Sequence, residues 1–239
     1  MTKIKDNLKR VQEDIARVCK DIGRDSKEIT IVGVTKFAPV EFIQDAVDCG
    51  LTDIAENKVQ EGQKKYPLIK NTSGKLTRHL IGHLQTNKVK DAIKVFDLIQ
   101  SVDSLNLAQE IEKQTLKASR IMDILFQVNT SGETQKFGSG KEDALSVLDS
   151  ISKLKNIRIL GLMAMAPLTE DEKIIHEAFR SLREIRDEAV KQFNGLSNID
   201  LKYLSMGMSG DYRIALEEGS NMVRIGRAIF ALSPEEAHA

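Results

Sequence analysis

One pattern recurs along this chain and limits what it can fold into: a segment with helical spacing, then a short apolar run rich in Ile, Val and Leu, then helix again. Ile4, Leu8, Val11, Ile15 and Val18 recur at steps of three and four, which is one helical face, and Gly23 breaks that segment. The run Ile29-Thr30-Ile31-Val32-Gly33-Val34 is β-branched and nearly continuous, as suits a strand buried on both faces. Pro39 then stands in the first turn of a second helix, whose end Gly50 marks.

Seven further strands are expected at residues 52–55, 78–81, 97–102, 121–128, 157–163, 202–204 and 222–225. Helix-patterned segments separate them, notably 106–118, 142–154, 171–193 and 212–218. Such alternation implies right-handed βαβ crossovers and a parallel sheet. Eight units close naturally into a single α/β barrel of the (β/α)8 TIM type, whose usual size of roughly 250 residues fits a chain of 239. An open, doubly wound sheet is the alternative. The barrel is expected to occupy residues 1–232 without a linker, and 233–239 to form a tail that has lost periodicity. The polar stretches 71–75 and 130–141 read as loops, the second long enough to suggest function.

Charge narrows the function classes. Lys plus Arg and Asp plus Glu both number 35, so the formal net charge is zero. That excludes the excess positive charge on which nucleic-acid and membrane-surface binding rest. Aromatic residues are 5% of the chain with no Trp, which also argues against base-stacking platforms. Residues 1–10 are charged throughout, and no apolar run approaches the roughly 18 residues that span a bilayer. Cys19 and Cys49 lie in helix-patterned segments without metal-ligand spacing and read as thiols of a cytoplasmic protein.

In a (β/α)8 barrel the residues that meet a ligand lie at the C-terminal ends of the strands. Lys36 follows the first strand, Asn57 the second, His83 the third and Asn129 the fifth, and Met163 ends the sixth. The segment Ser205-Met206-Gly207-Met208-Ser209-Gly210 follows the seventh strand and Gly226-Arg227 the eighth. Barrels commonly bind phosphate at these last two loops, where backbone N–H groups point at the anion. Glycine lets the backbone come close, Ser205 and Ser209 add hydroxyls, and Arg224 and Arg227 add positive charge. A free lysine has a pKa near ~10.4; partial burial or a nearby cation would lower it and release a nucleophilic amine at Lys36. A lysine together with phosphate loops points to pyridoxal 5′-phosphate.

At these residues the chain closely resembles the pyridoxal phosphate homeostasis protein family, which is related to the N-terminal barrel of alanine racemases. The matching segments are Val32-Gly33-Val34-Thr35-Lys36, Ala55-Glu56-Asn57-Lys58-Val59-Gln60-Glu61 and His79-Leu80-Ile81-Gly82-His83-Leu84-Gln85-Thr86-Asn87-Lys88. Gln127-Val128-Asn129-Thr130, Gly161-Leu162-Met163, Ser205-Met206-Gly207-Met208-Ser209 and Val223-Arg224-Ile225-Gly226 complete them in order, over residues 4–230. The resemblance implies a barrel of the alanine racemase N-terminal domain type, with pyridoxal 5′-phosphate (PLP) held covalently on Lys36 as a Schiff base, the internal aldimine. It implies Ser205, Gly226 and Arg227 around the phosphate, with Gly207 in the same loop, and Arg224 near the pyridine nitrogen. Asn57 and Met163 complete the expected pocket, Met163 packing against the ring. An Arg there leaves the ring nitrogen unprotonated and weakens the cofactor as an electron sink. Racemases complete their site with a base from a partner domain, for which this chain has no residues left. The resemblance therefore implies PLP homeostasis without an established reaction, PLP-dependent apoenzymes as recipients and a monomer; an amino-acid racemase or related enzyme is the alternative. A phosphosugar-type barrel enzyme, with Lys36 bonding its substrate, is a weaker one. Arg227 stands where the family usually has Thr, Ala55 where it has Gly and Lys58 where it has Tyr.

Other residues have plainer readings. His79 and His83 are four apart, but no Cys or carboxylate partner has ligand spacing, so structural or pocket-lining roles are expected. His176 reads as a surface residue of a long helix, and Met163, Met165, Met206 and Met208 as barrel filling. Lys58, Lys64, Lys65 and Lys70 read as a solvated face, and Arg224 has an ion-pair role as its plain alternative.

Overall fold

The computed structural model describes residues 3–70, 74–133, 135 and 137–231. Its strands are β1 (Thr30–Val34), β2 (Asp53–Glu56), β3 (Thr77–Leu80), β4 (Leu98–Val102), β5 (Met122–Asn129), β6 (Ser139–Gly140), β7 (Ile157–Met163), β8 (Ile199–Met208) and β9 (Met222–Ile225). β1 pairs in parallel with β2 on one side and β9 on the other, and β4 pairs with β5, so eight strands close a ring. The two-residue β6 pairs with β5 outside that ring. Closure rules out the open sheet. The expected tail at 233–239 and part of the 71–75 loop lie outside the described residues.

The helices are α1 (Lys3–Asp21), α2 (Val40–Asp48), α3 (Val59–Lys65), α4 (Val89–Val95), α5 (Leu105–Lys117), α6 (Ala144–Ser152), α7 (Glu172–Gln192), α8 (Tyr212–Glu217) and α9 (Arg227–Phe230). Local chemistry starts several of them. Ser104 accepts from the Leu107 N–H ahead of α5, and Asp171 accepts from the Lys173 N–H ahead of α7. Pro39 stands just outside α2 as its N-cap. Gly23 and Gly50, at φ 71° and 97°, supply the left-handed turns that end α1 and α2. α1 buries Ile4, Leu8, Val11, Ile15 and Val18, each worth roughly 1.5–3 kcal/mol on transfer from water.

Strand periodicity divides the apolar residues into two cores. Residues such as Ile54, Ile99, Ile124, Phe126 and Val223 face the helix layer. Val32, Ala55, Leu98, Leu125, Leu160, Met163 and Met222 form a separate cluster inside the barrel. β8 runs to Met208, well past the expected 202–204, because Ser205-Met206-Gly207-Met208 remains extended with a register shift against β9. β7 and β8 approach so closely that a Cβ on Gly161 would lie 2.1 Å from the Tyr203 carbonyl oxygen. Among the described residues no helix is long and apolar enough to cross a membrane.

Candidate functional site

Lys36 lies at the C-terminal rim of the barrel, just beyond β1. Val32 faces the barrel interior while Gly33 faces the helix layer, against Leu51 and Phe230. Lys36 is exposed, contrary to the partial burial expected, with Nζ 5.2 Å from the ring centroid of exposed Phe37.

The backbone before Lys36 is held firmly. The Thr35 N–H donates to the Ala55 carbonyl at 2.9 Å, and the Thr35 hydroxyl lies 2.8 Å from Glu56 Oε1. Lys65 Nζ donates to both the Thr35 carbonyl and Glu56 Oε1 at 2.8 Å. Lys65 is 13% exposed and Glu56 1%, so Lys65 does not belong to a solvated face. α3 turns it onto the strands, while Lys58 and Lys64 face water.

Arg224 is 4% exposed inside the barrel. Its Nη1 donates to the Ser205 carbonyl and hydroxyl at 2.7 and 2.8 Å, and its Nη2 donates to the Ala164 carbonyl at 2.9 Å. No carboxylate lies within ion-pair distance of it among the described residues, so the ion-pair reading fails. Burial pushes the guanidinium down to about 10, and the more distant Asp211 acts the other way. Three of the five guanidinium N–H groups are engaged, leaving a second Nη2 proton and the Nε proton available.

The two glycine-bearing loops divide their duties differently from the expectation. Ser205 is fully buried, with its hydroxyl between Gln100 Oε1 at 2.6 Å and Arg224. Expected around the phosphate, Ser205 here has its hydroxyl engaged in supporting Arg224, and Ser209, half-buried, is the more accessible hydroxyl of that loop. Gly207 has φ 95°, and a Cβ there would lie 2.6 Å from the Ala215 Cβ. Its glycine is required where β8 passes beneath α8. Asp211 accepts from the Met208 N–H; burial raises its pKa, opposed by that bond and by Arg224. Gly226 precedes α9 and packs on Val34, 3.4 Å from its Cβ position, and Arg227 is exposed.

α1 fixes both helices that follow these loops, a role the sequence reading missed. Asn7 donates to the Ile229 and Ala231 carbonyls at 3.0 and 3.1 Å, and Asp14 accepts from the Tyr212 hydroxyl and from Arg213. Burial first, then Asp14, pushes the Tyr212 phenol up to about 12. The signal was present: Asn7 is a polar residue on the apolar face beside Leu8.

The remaining candidates surround the mouth. Asn57 is exposed beyond β2, and its backbone packs so tightly on Gly82 that a Cβ there would lie 2.1 Å from the Asn57 oxygen. Ala55 and Met163 are fully buried in the inner cluster, so Met163 plugs the barrel from below. Asn129 Oδ1 accepts from the Ser131 hydroxyl at 2.9 Å, ordering the start of the loop after β5. His83 stacks on Phe137 of that loop, with centroids 3.9 Å apart. His79 is buried between Asp53 and Gln100, and no group of three potential metal ligands occurs among the described residues. His176 is more than a surface residue: it contacts nearly buried Glu218 at 2.9 Å, where Arg180 and Arg183 also converge.

Comparison with known proteins gives a consistent result. Residues 4–234 match the family model described as the alanine racemase N-terminal domain. The pyridoxal phosphate homeostasis protein of Aquifex aeolicus (strain VF5) is 41% identical over 200 residues, covering 84% of this chain and 85% of its own. That of Vibrio alginolyticus is 34% identical over 238 residues, covering 96% and 97%. PipY of Synechococcus elongatus PCC7942, solved with PLP bound, superposes with a TM-score of 0.78 at 30% identity, covering 91% of this chain and all of PipY.

Proposed function

The chain belongs to the alanine racemase N-terminal domain family, and from that premise we propose that it binds PLP at the barrel mouth, holds it reversibly on Lys36 and serves PLP homeostasis. One observation carries the reading: the strand leading to Lys36 and the strand that bears Arg224 and leads into Gly226 are direct neighbours, with Val34 packed on Gly226. The Lys36 amine and the Gly226 turn, read here as the phosphate end of the site, thus follow adjacent strands. The names of the Aquifex and Vibrio relatives and the PLP-bound PipY structure support the same ligand.

The residues present fit the group. The Lys36 amine would hold the aldehyde end of PLP, and the group, when bound, would supply a carbonyl carbon able to link reversibly to that amine. Ser209, Arg227 and the backbone at Gly226 face the phosphate end, as the glycine-bearing turns suit an anion. Arg224 would offer its unspent N–H groups to the ring nitrogen and, as a guanidinium, would keep its own protons. Asn57 borders the mouth and Met163 its floor.

An exposed Lys36 favours a carrier over a catalyst, because water and incoming amines reach the linkage freely and release the cofactor. PLP-dependent apoenzymes in the cytoplasm are the recipients, and one chain suffices for the site. The test is to add PLP to purified protein and follow visible absorption. A band that appears with the native chain and is lost in Lys36→Ala supports the reading; an unchanged band in Lys36→Ala contradicts it. Solvent deuterium entering the α-carbon across an amino-acid panel would instead favour a racemase.

A further inference from the structure

We infer that Asp53, His79, Gln100 and Ser205 form one hydrogen-bonded chain across the barrel interior that orients Arg224 toward an acceptor atom of the bound ligand. The inference rests on the proposed reading of the mouth as a cofactor site and names the parts of the barrel that set its selectivity for the ring.

The links are continuous. His79 Nε2 lies 2.9 Å from Asp53 Oδ1, Gln100 Nε2 lies 2.8 Å from His79 Nδ1, the Ser205 hydroxyl lies 2.6 Å from Gln100 Oε1, and Arg224 Nη1 lies 2.8 Å from that hydroxyl. His79, Gln100 and Ser205 are fully buried. Both ends are charged, and that fixes every donor between them. Arg224 only donates, so the Ser205 oxygen accepts and its proton goes to the one acceptor in reach, Gln100 Oε1. The Gln100 amide nitrogen then faces His79 Nδ1, which must accept, and His79 Nε2 carries the proton donated to Asp53. Turning Gln100 over would need a proton on His79 Nδ1 and would leave the Ser205 hydroxyl proton without an acceptor in the interior, where an unmade hydrogen bond is costly.

The result is a guanidinium with one available orientation. Nη1 is spent on Ser205, one Nη2 proton on Ala164, and the remaining N–H groups are left for the ligand. Such a site selects a ring atom that accepts a hydrogen bond and rejects the same ring with that atom blocked. Asp53, His79, Gln100 and Ser205 are positioning residues: they act on the ligand through Arg224.

The test compares PLP with its ring-N-methylated analogue on the full chain, by equilibrium titration with inorganic phosphate as the control ligand. Native protein is expected to prefer PLP. In Gln100→Leu and Ser205→Ala, PLP binding should weaken about tenfold and the preference over the methylated analogue should shrink, while phosphate affinity stays unchanged. Ser205→Thr, which keeps the hydroxyl, should restore both. If Gln100→Leu and Ser205→Ala, folded by circular dichroism, keep the native preference, the inference is overturned while the cofactor reading stands. If native protein binds no PLP, the cofactor reading fails, and the ligand half of the inference fails with it. A separate measurement needs no ligand: ¹⁵N NMR of unliganded protein should find His79 protonated on Nε2 alone, and a proton on Nδ1 would refute the chain itself.

Discussion

Lys65 Nζ meets the Thr35 carbonyl at 2.8 Å, so a side chain from α3 holds the peptide that leads into Lys36. The same ammonium neutralises buried Glu56. Lys65→Met would leave that carboxylate without its cation, which costs about 3 kcal/mol or more for a buried pair. Denaturant unfolding should register this loss, and adding Glu56→Gln to Lys65→Met should recover part of it. A Lys65→Met protein as stable as the native chain would count against the clamp.

Asn7 ties α1 to the end of α9 through two carbonyls. Asn7→Ala should cost about 2 kcal/mol, from two lost hydrogen bonds, one buried and one partly buried. Because α9 carries Arg227 and follows Gly226, PLP affinity should fall as well. Thermal melts and ligand titration on the same sample check both.

Arg227 and Arg224 should behave differently. Arg227 is exposed, so Arg227→Ala should change stability by less than about 0.5 kcal/mol. It should weaken PLP binding about fivefold at low salt, with a smaller gap at high salt, as screening predicts. Titration at two ionic strengths tests this; a gap independent of salt would remove Arg227 from the phosphate.

Acid should destabilise the fold through two carboxylates. Burial raises the pKa of Asp53 and of Glu218, but hydrogen bonds from His79 and Thr52 to the first, and from His176 and Arg180 to the second, more than offset it, and both lie below their ordinary values. Each is therefore ionised in the folded chain at a pH where the unfolded chain binds a proton. Their contribution is complete above the unfolded values of about 3.9 and 4.3 and is lost as pH falls through the folded ones. Glu218→Gln should lower the melting temperature most at neutral pH, and the deficit should shrink toward about pH 3. Asp211, raised by burial, contributes with the opposite sign.

Periodicity made the barrel legible. β-branched runs such as Ile29 to Val34 can be buried on both faces only in a parallel sheet, and all eight expected strands are present. The location of Lys36 followed from its place after such a run. What stayed hidden depends on which way a side chain faces across the fold. Ser205 looked like a loop hydroxyl because serine and glycine surround it, yet it lies in extended β8 and points inward. Lys65 looked like its neighbour Lys64, although adjacent helical positions point in different directions. Asp53, His79, Gln100 and Ser205 come from four separate strands, so no spacing in the sequence links them.

Borohydride reduction of the PLP-loaded protein, followed by peptide mass spectrometry, tests the central claim most directly. A single phosphopyridoxyl adduct on Lys36 is the predicted result. An adduct on another lysine, with Lys36 unmodified, would contradict it.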